Sequence, residues 1–507
     1  MNADDLVPPL RPGVRLVPTG DEGAAFLEDT VLGRRIRLDA RGHDVARALD
    51  APQALTALAT RLGGEPEPVG RAVGSFARLH LLDTAEARAH ASDAEALAAV
   101  TAADRATVPL LIRDDARFTC TMCGSCCGGH NVGPVFQDVL DGLAPHAADL
   151  EAATRTAKGL FFAMGGDPEA PEREQVLCHQ SRGSCVFLMD DRRCRIHAAL
   201  GGDSKPRACR IFPYEFVATP RGVAVTVQRE CRGFPEARLG KRLADDSDAL
   251  RRLVALAPSL TAVRRVISMA PGFSMTWDAY ERLEGALHDA VDAHPDDACA
   301  ALSAGRDVLV TASGNDPAAP APRTSVADLR ADLDQLVTAL LGRIAPMRSA
   351  VPAPSAELLV RADALDHLRD ALTGLRDDLP RVVAPLARPD QRALFSEHLH
   401  HTLMSKTLAL APTVLAGWAR VTFGWVVAMS LATHRARQVK RRHLVAQDVM
   451  DALVITSFLW RHEDIATRVL PAFDEALVDL FVLRWPALVA AARELPDPDT
   501  RLELVKF

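Results

Sequence analysis

Apolar positions alternate with polar ones in three short runs near the start of the chain, 14–19, 24–28 and 35–38, separated by Gly20, Gly23 and Gly33. A period of two bounded by glycines predicts a three-stranded meander. The period then lengthens, and helical spacing fills 43–49, 53–62 and 68–81, with Asp50 and Pro52 marking the first break. Three strands followed by three helices predict a small α+β domain over 1–90. An alanine-rich segment, 84–106, keeps the helical pattern, so 91–109 is expected to be a helical connector.

Periodicity dissolves between 110 and 240. Glycines and prolines interrupt every long pattern there, which predicts a loop-rich region with short helices at 135–143 and 147–156. From 243 helical spacing returns and runs almost to the end, as in 250–262, 275–291 and 358–375. Pro317, Pro320 and Pro322 break it within 315–325, and Pro352 and Pro354 break it again. No internal repeat of solenoid period is present. The expected fold is mainly α and multi-domain: the N-terminal α+β domain, a loop-rich region over 110–240, and a helical domain over 241–507.

Composition narrows the class. A chain of 507 residues exceeds one ordinary core, and 48% hydrophobic with 25% charged residues fits a globular protein. A net charge of −7 gives no general attraction to nucleic acid or anionic membrane. The stretch 408–433 has the hydropathy of a membrane span, but Pro412, Arg420 and Gly424 interrupt it, so a buried core helix is expected. The N-terminus has neither a basic region nor an apolar one of the secretory kind, which predicts a cytoplasmic protein.

Cysteine placement changes the picture most. Nine of the ten cysteines lie between Cys120 and Cys231, and Cys299 stands apart. Cys120, Cys123 and Cys126 form a C-x2-C-x2-C wrap, the arrangement with which bacterial ferredoxins hold three corners of an iron–sulfur cluster while a remote cysteine supplies another ligand. Gly124, Gly128 and Gly129 permit the close turns this needs. Adjacent Cys126 and Cys127 are expected to point apart and not to serve one metal alike. Disulfides are disfavoured in a cytoplasmic chain. Structural zinc usually takes two separated C-x2-C pairs, so an iron–sulfur cluster stands ahead of zinc, and the number of candidate ligands leaves room for two sites. Cys178, in a less patterned stretch beside His179, is expected to be a buried free thiol. His130 and His197 are expected to be structural rather than ligating.

The segments 118–127 (FTCTMCGSCC), 183–188 (GSCVFL), 193–197 (RCRIH) and 205–213 (KPRACRIFP) resemble, in order, the YkgJ-type cysteine-cluster family, described as zinc- or iron-chelating and including flagellin lysine-N-methylases. The resemblance implies metal ligands at Cys120, Cys123, Cys126, Cys127, Cys185, Cys194 and Cys209, with Cys231 added from its late position. Pro206 and Pro213 bracket Cys209 and stiffen its loop. Segments 10–14 (LRPGV), 26–29 (FLED) and 37–39 (RLD), with the helix at 46–49, resemble PqqD-like domains. Those are winged-helix-type modules that bind peptides by strand addition, which implies a peptide or protein partner. DNA binding through such a fold is disfavoured, because 69–81 carries only Arg71 and Arg78.

Two function classes follow. One is an enzyme like the lysine-N-methylases, transferring methyl from S-adenosylmethionine to a protein or peptide lysine. The other is a non-catalytic zinc- or iron-chelating scaffold that binds a partner. No glycine-rich cofactor turn and no nucleophile elbow is found, and the radical S-adenosylmethionine spacing fails because His130 follows Cys123 and Cys127. Catalytic and cofactor-binding residues are therefore unassigned. Glu397, His398 and His401 could share a helix face as a small metal or acid–base site, against the alternative of a solvated polar face.

Overall fold

The computed structural model describes residues 5–494 apart from 19–24, 129–131, 155–158, 165–174, 182, 229, 320–324, 350–364, 367, 376–388, 442–443, 462–464 and 466–468. It is mainly helical, with small sheets concentrated in the first half of the chain.

The expected meander is present. Val14–Pro18, Ala25–Asp29 and Arg34–Leu38 pair antiparallel in sequence order, with Leu16 opposite Leu27 and Leu27 opposite Ile36. Alternation along the middle strand buries Ala25, Leu27 and Asp29 on one face. The buried Asp29 carboxylate accepts from Arg11 Nη2 at 2.8 Å and from the Leu32 amide at 3.0 Å, which offsets its desolvation. Helices Ala40–Ala48, Leu55–Arg61 and Pro66–Arg78 cover that face, the first capped by Asp39 accepting from the Gly42 amide. The second helix begins two residues later than its pattern suggested, because Gln53–Ala54 pairs with Leu6–Val7 as a short antiparallel ribbon.

Helix Ala85–Ala102, capped by Thr84, leads into a larger core. A four-stranded sheet lies at its centre, in the order Thr261–Ala262, Tyr214–Thr219, Gly222–Val227, Leu110–Leu111. Its central pair is antiparallel and both outer pairings are parallel. Every residue of Gly222–Val227 is buried. This sheet was not expected, although Pro220 and Gly222 between two apolar runs are a turn signal. It shares one apolar core with the C-terminal helices, from Leu97 to Ala492.

The helical reading beyond 243 needs one correction. The helix expected over 250–262 stops at Leu256, ahead of Pro258, and the chain then forms Thr261–Ala262 and the hairpin Ile267–Ala270 with Phe273–Met275. Helix Trp277–Asp292 follows, capped by Thr276. Helices Ala298–Ala312 and Val326–Ser349 flank the expected proline break; Pro317 lies between them, and Pro320 and Pro322 lie outside the described residues. Of the helix expected over 358–375, residues 358–364 lie outside the described residues, and Leu365, Leu368, Leu372 and Leu375 are buried on the rest.

Only the short helix Thr407–Leu410 ends at Pro412; helix Val414–Gln438 then runs unbroken through Arg420 and Gly424. It is the one helix among the described residues long and apolar enough to cross a membrane, and 89% of its apolar window is buried inside the protein. Arg420 is accommodated by a bidentate pair to Asp474, at 2.7 and 2.8 Å. Trp418, fully buried, lies against Gly305 so closely that a Cβ on the glycine would overlap the indole. Gly305→Ala should therefore cost about 1–3 kcal/mol through overpacking, despite alanine's higher helix propensity. A urea midpoint equal to or above that of the wild type would contradict this packing.

Candidate metal centre

Backbone contacts fix the start of the cysteine wrap. Phe118 is buried and its amide donates to Lys241 O at 2.9 Å, while the Thr119 amide donates to Ala237 O at 2.8 Å. Gly124 then turns the chain at φ +72°, where a Cβ would press on Arg192 O and Leu188 Cδ1, each at 3.1 Å. Both the positive φ and the close approach demand glycine here. Ser125–Cys127 form a single 3-10 turn, closed by the Cys127 amide on Gly124 O at 3.0 Å.

The remaining cysteines arrive through short pairings that sequence distance conceals. Gly128 bridges Ser184, which brings the wrap against Ser184–Cys185. Val132 bridges Cys178 at the end of strand Gln175–Cys178, and Leu188 bridges Cys194. Cys194 precedes helix Arg195–Leu200, and Cys209 lies in helix Arg207–Ile211 behind Pro206.

The result is a cavity of about 350 Å³ whose wall includes Cys126, Cys127, Cys178, Cys185, Cys194 and Cys209, with Lys205 and Gln228 as polar neighbours and Phe187, Ile196 and Phe212 as apolar ones. Cys178, set aside by its sequence context, belongs to this wall: it is 1% exposed and hydrogen-bonded to Cys185. Cys126 and Cys127 also share a hydrogen bond and line the same cavity, contrary to the expectation that they point apart. In a 3-10 turn with three residues per revolution, adjacent side chains can reach one cavity from neighbouring directions.

Cys120, Cys123 and Cys231 form a second group beside it. A Cβ on Gly233 would stand 3.2 Å from Cys123 Sγ and 3.9 Å from Cys231 Sγ, and Cys120 and Cys123 both raise the Cys231 pKa electrostatically. Backbone amides point at sulfur in both groups: Met122 N–H to Cys120 Sγ at 3.4 Å, Gly233 N–H to Cys231, and Phe187 N–H to Cys185. Such donors stabilise thiolate charge. All ten cysteines are free thiols.

Electrostatics separate the thiols. The hydrogen bond from Cys127 lowers Cys126 to about 6 against its burial, with further help from Lys205, while the same bond pushes Cys127 up. Cys185 is lowered by the bond from Cys178, which is raised in turn. Burial pushes Cys209 and Cys231 up to about 12. Several thiolates cannot gather here without a compensating cation, and a soft metal supplies it.

Other candidates fall elsewhere. His130 lies outside the described residues, and His197 sits on helix Arg195–Leu200 without lining the cavity. Cys299 is buried alone in helix Ala298–Ala312. On helix Pro389–Met404 the expected histidine site does not assemble, and the solvated face does not exist either, since His398, His400 and His401 are all buried. His401 Nδ1 lies 2.6 Å from Thr226 Oγ1, and His400 Nε2 lies 2.9 Å from Asp292 Oδ1. His398 faces a separate cavity of about 620 Å³, while Glu397 accepts from Arg238 at 2.6 Å. Each is taken up by a different neighbour because the helix is surrounded by packed elements. Lys205 was missed as a cavity residue, although it opens the 205–213 motif that carries Cys209.

No curated protein and no solved structure matches the chain. Residues 119–232, under a quarter of the chain, match the CxxCxxCC family model, described as a candidate zinc- or iron-chelating domain, and the match supports metal binding by this cysteine cluster.

Proposed function

We propose that the cysteine region holds an iron–sulfur cluster in the cavity lined by Cys126, Cys127, Cys178, Cys185, Cys194 and Cys209, with Cys120, Cys123 and Cys231 as the ligand set of an adjoining site. One observation carries the choice of metal. Six cysteines line the one cavity, more thiols than the four that a single zinc ion takes. Such a ring of thiols around a cavity of about 350 Å³ suits a multinuclear cluster better than a single ion. When bound, such a cluster supplies one-electron redox chemistry or a rigid brace. The chain's own part is to bury the thiols, aim backbone amides at the sulfurs and set Lys205 against their charge.

Of the two function classes, metal chelation has the support of the geometry. Methyl transfer from S-adenosylmethionine to a protein lysine rests on the resemblance to lysine-N-methylases alone, and no cofactor-binding residues are assigned to it. A peptide or protein partner is proposed at the N-terminal sheet, whose outer strands Val14–Pro18 and Arg34–Leu38 each pair with one strand only among the described residues, the arrangement that strand addition would extend. Anaerobic purification followed by iron, zinc and acid-labile sulfide analysis tests the central proposal. Iron and sulfide in comparable amounts, with visible charge-transfer absorption, are expected; colourless protein holding zinc and no sulfide would replace the cluster by zinc.

A further inference from the structure

A second set of metal-ligating side chains lies well away from the cysteines, where the N-terminal helices meet helix Ala85–Ala102. His80 follows helix Pro66–Arg78 in a left-handed conformation, φ 53°, and its main chain is held by the Ala77 and Arg11 contacts around it. Glu86 and His90 stand one helical turn apart on Ala85–Ala102, so their side chains share a face. The two imidazole rings approach to 4.0 Å between centroids at 38°. One ligand atom from each of His80, Glu86 and His90 lies within 4.8 Å of the other two.

Burial makes this more than a chance meeting of polar groups. His80 is 4% exposed and His90 1%, yet His90 Nε2 has no hydrogen-bond partner and faces Glu86 Oε1 at 4.0 Å. A buried ring nitrogen without a partner is uncommon in a native structure and calls for a group that would satisfy it. His80 Nε2 is held by Ser274 Oγ at 2.5 Å, which fixes the ring from the hairpin side. Burial also keeps both imidazoles neutral at pH 7, the form that offers a lone pair to a cation. The neighbouring charges are mixed. Arg11 and Arg34 oppose a cation, but both pair with Asp29, and Asp93 and Glu86 act on His90 in the favourable direction. Glu86 is exposed, which leaves an entry path from solvent.

We propose that His80, Glu86 and His90 form a separate, cysteine-free site for a divalent transition-metal ion of the zinc type, tying the end of the N-terminal helices to helix Ala85–Ala102. Two neutral imidazoles and one carboxylate are a borderline donor set that favours such ions over calcium or magnesium, and they leave a coordination position for water.

Cobalt(II) titration of the full-length, cluster-loaded protein tests this, because cobalt reports its ligands by absorption. The wild type should take up one cobalt ion with d–d bands and no thiolate-to-cobalt charge transfer. Glu86→Gln, at an exposed position that leaves the fold unchanged by circular dichroism, should weaken that binding by at least ~10-fold. His90→Gln should abolish it, with iron and sulfide content unaltered in both variants. Cobalt uptake accompanied by thiolate charge transfer alone, no uptake at all, or unchanged affinity in Glu86→Gln would overturn the site. If His90→Gln fails to fold, Glu86→Gln decides.

Discussion

Replacing Cys178 by alanine is expected to strip the centre of metal as thoroughly as replacing Cys185, with affinity falling at least ~100-fold in either case, since loss of a ligand should cost no less than loss of a supporting partner. Cys178 lies in the cavity wall, hydrogen-bonded to Cys185, and its amide donates to Val132 O at 2.9 Å. That bond anchors strand Gln175–Cys178 against the segment that follows the cysteine wrap, so the thiol is aimed by the fold. Metal and sulfide content of the two variants, measured beside Cys299→Ala, checks it. Cys299 lies apart in helix Ala298–Ala312, and its variant should keep a full complement. Full metal content in Cys178→Ala together with loss in Cys185→Ala would return Cys178 to the role of a buried free thiol.

Removing the metal is expected to unfold the cysteine region while the helical core survives. The region's own apolar cluster has eleven buried members, from Val132 to Ile196, and two of these are Cys178 and Cys185. So small a core supplies little stability, whereas structural metal in comparable thiolate sites contributes on the order of 10 kcal/mol to folding. Freed of the cation, the thiols resist ionisation, because burial first and neighbouring thiolates second push Cys209 and Cys231 up. Hydrogen exchange after chelation and reduction should show protection lost by at least ~100-fold in 132–200 and retained in helix Val414–Gln438, whose buried face lies in the larger core. Unchanged exchange in 132–200 would mean that the region is held by its packing alone.

The contrast between Cys178 and Cys185 also shows how much of the site could be read from residue order. The wrap at Cys120–Cys127 is a local motif: its spacing, with Gly124 at the turn, marks these thiols as candidate ligands, although the fold divides them between two groups. The motifs around Cys185, Cys194 and Cys209 were likewise recognisable because their flanking residues form patterns. Cys178 has no such flanks, and only the bridge to Val132 and the pairing of Gln175–Cys178 with Phe161–Met164 reveal its place. Similarly, His398 and His401 looked like a pair from their spacing of three, but tertiary packing gave them different neighbours.

Elements legible in the sequence were those fixed by short-range periodicity and capping: the N-terminal meander, the helices over 40–48, 66–78 and 277–292, and the buried helix at 414–438. Sequence by itself also marked the cysteines as a metal-binding region, because nine thiols in so short an interval, opening on a C-x2-C-x2-C spacing, form a pattern typical of metal ligands. Tertiary structure alone decided how those thiols divide between the cavity and the Gly233 side, and it alone joined His80 to His90. It also decided the four-stranded sheet, whose parallel edges Leu110–Leu111 and Thr261–Ala262 come from far apart in the chain. The physical reason is common to all three. Periodicity encodes which face of an element is buried, whereas the partner found on that face depends on contacts closed over tens to hundreds of residues, which no local spacing records.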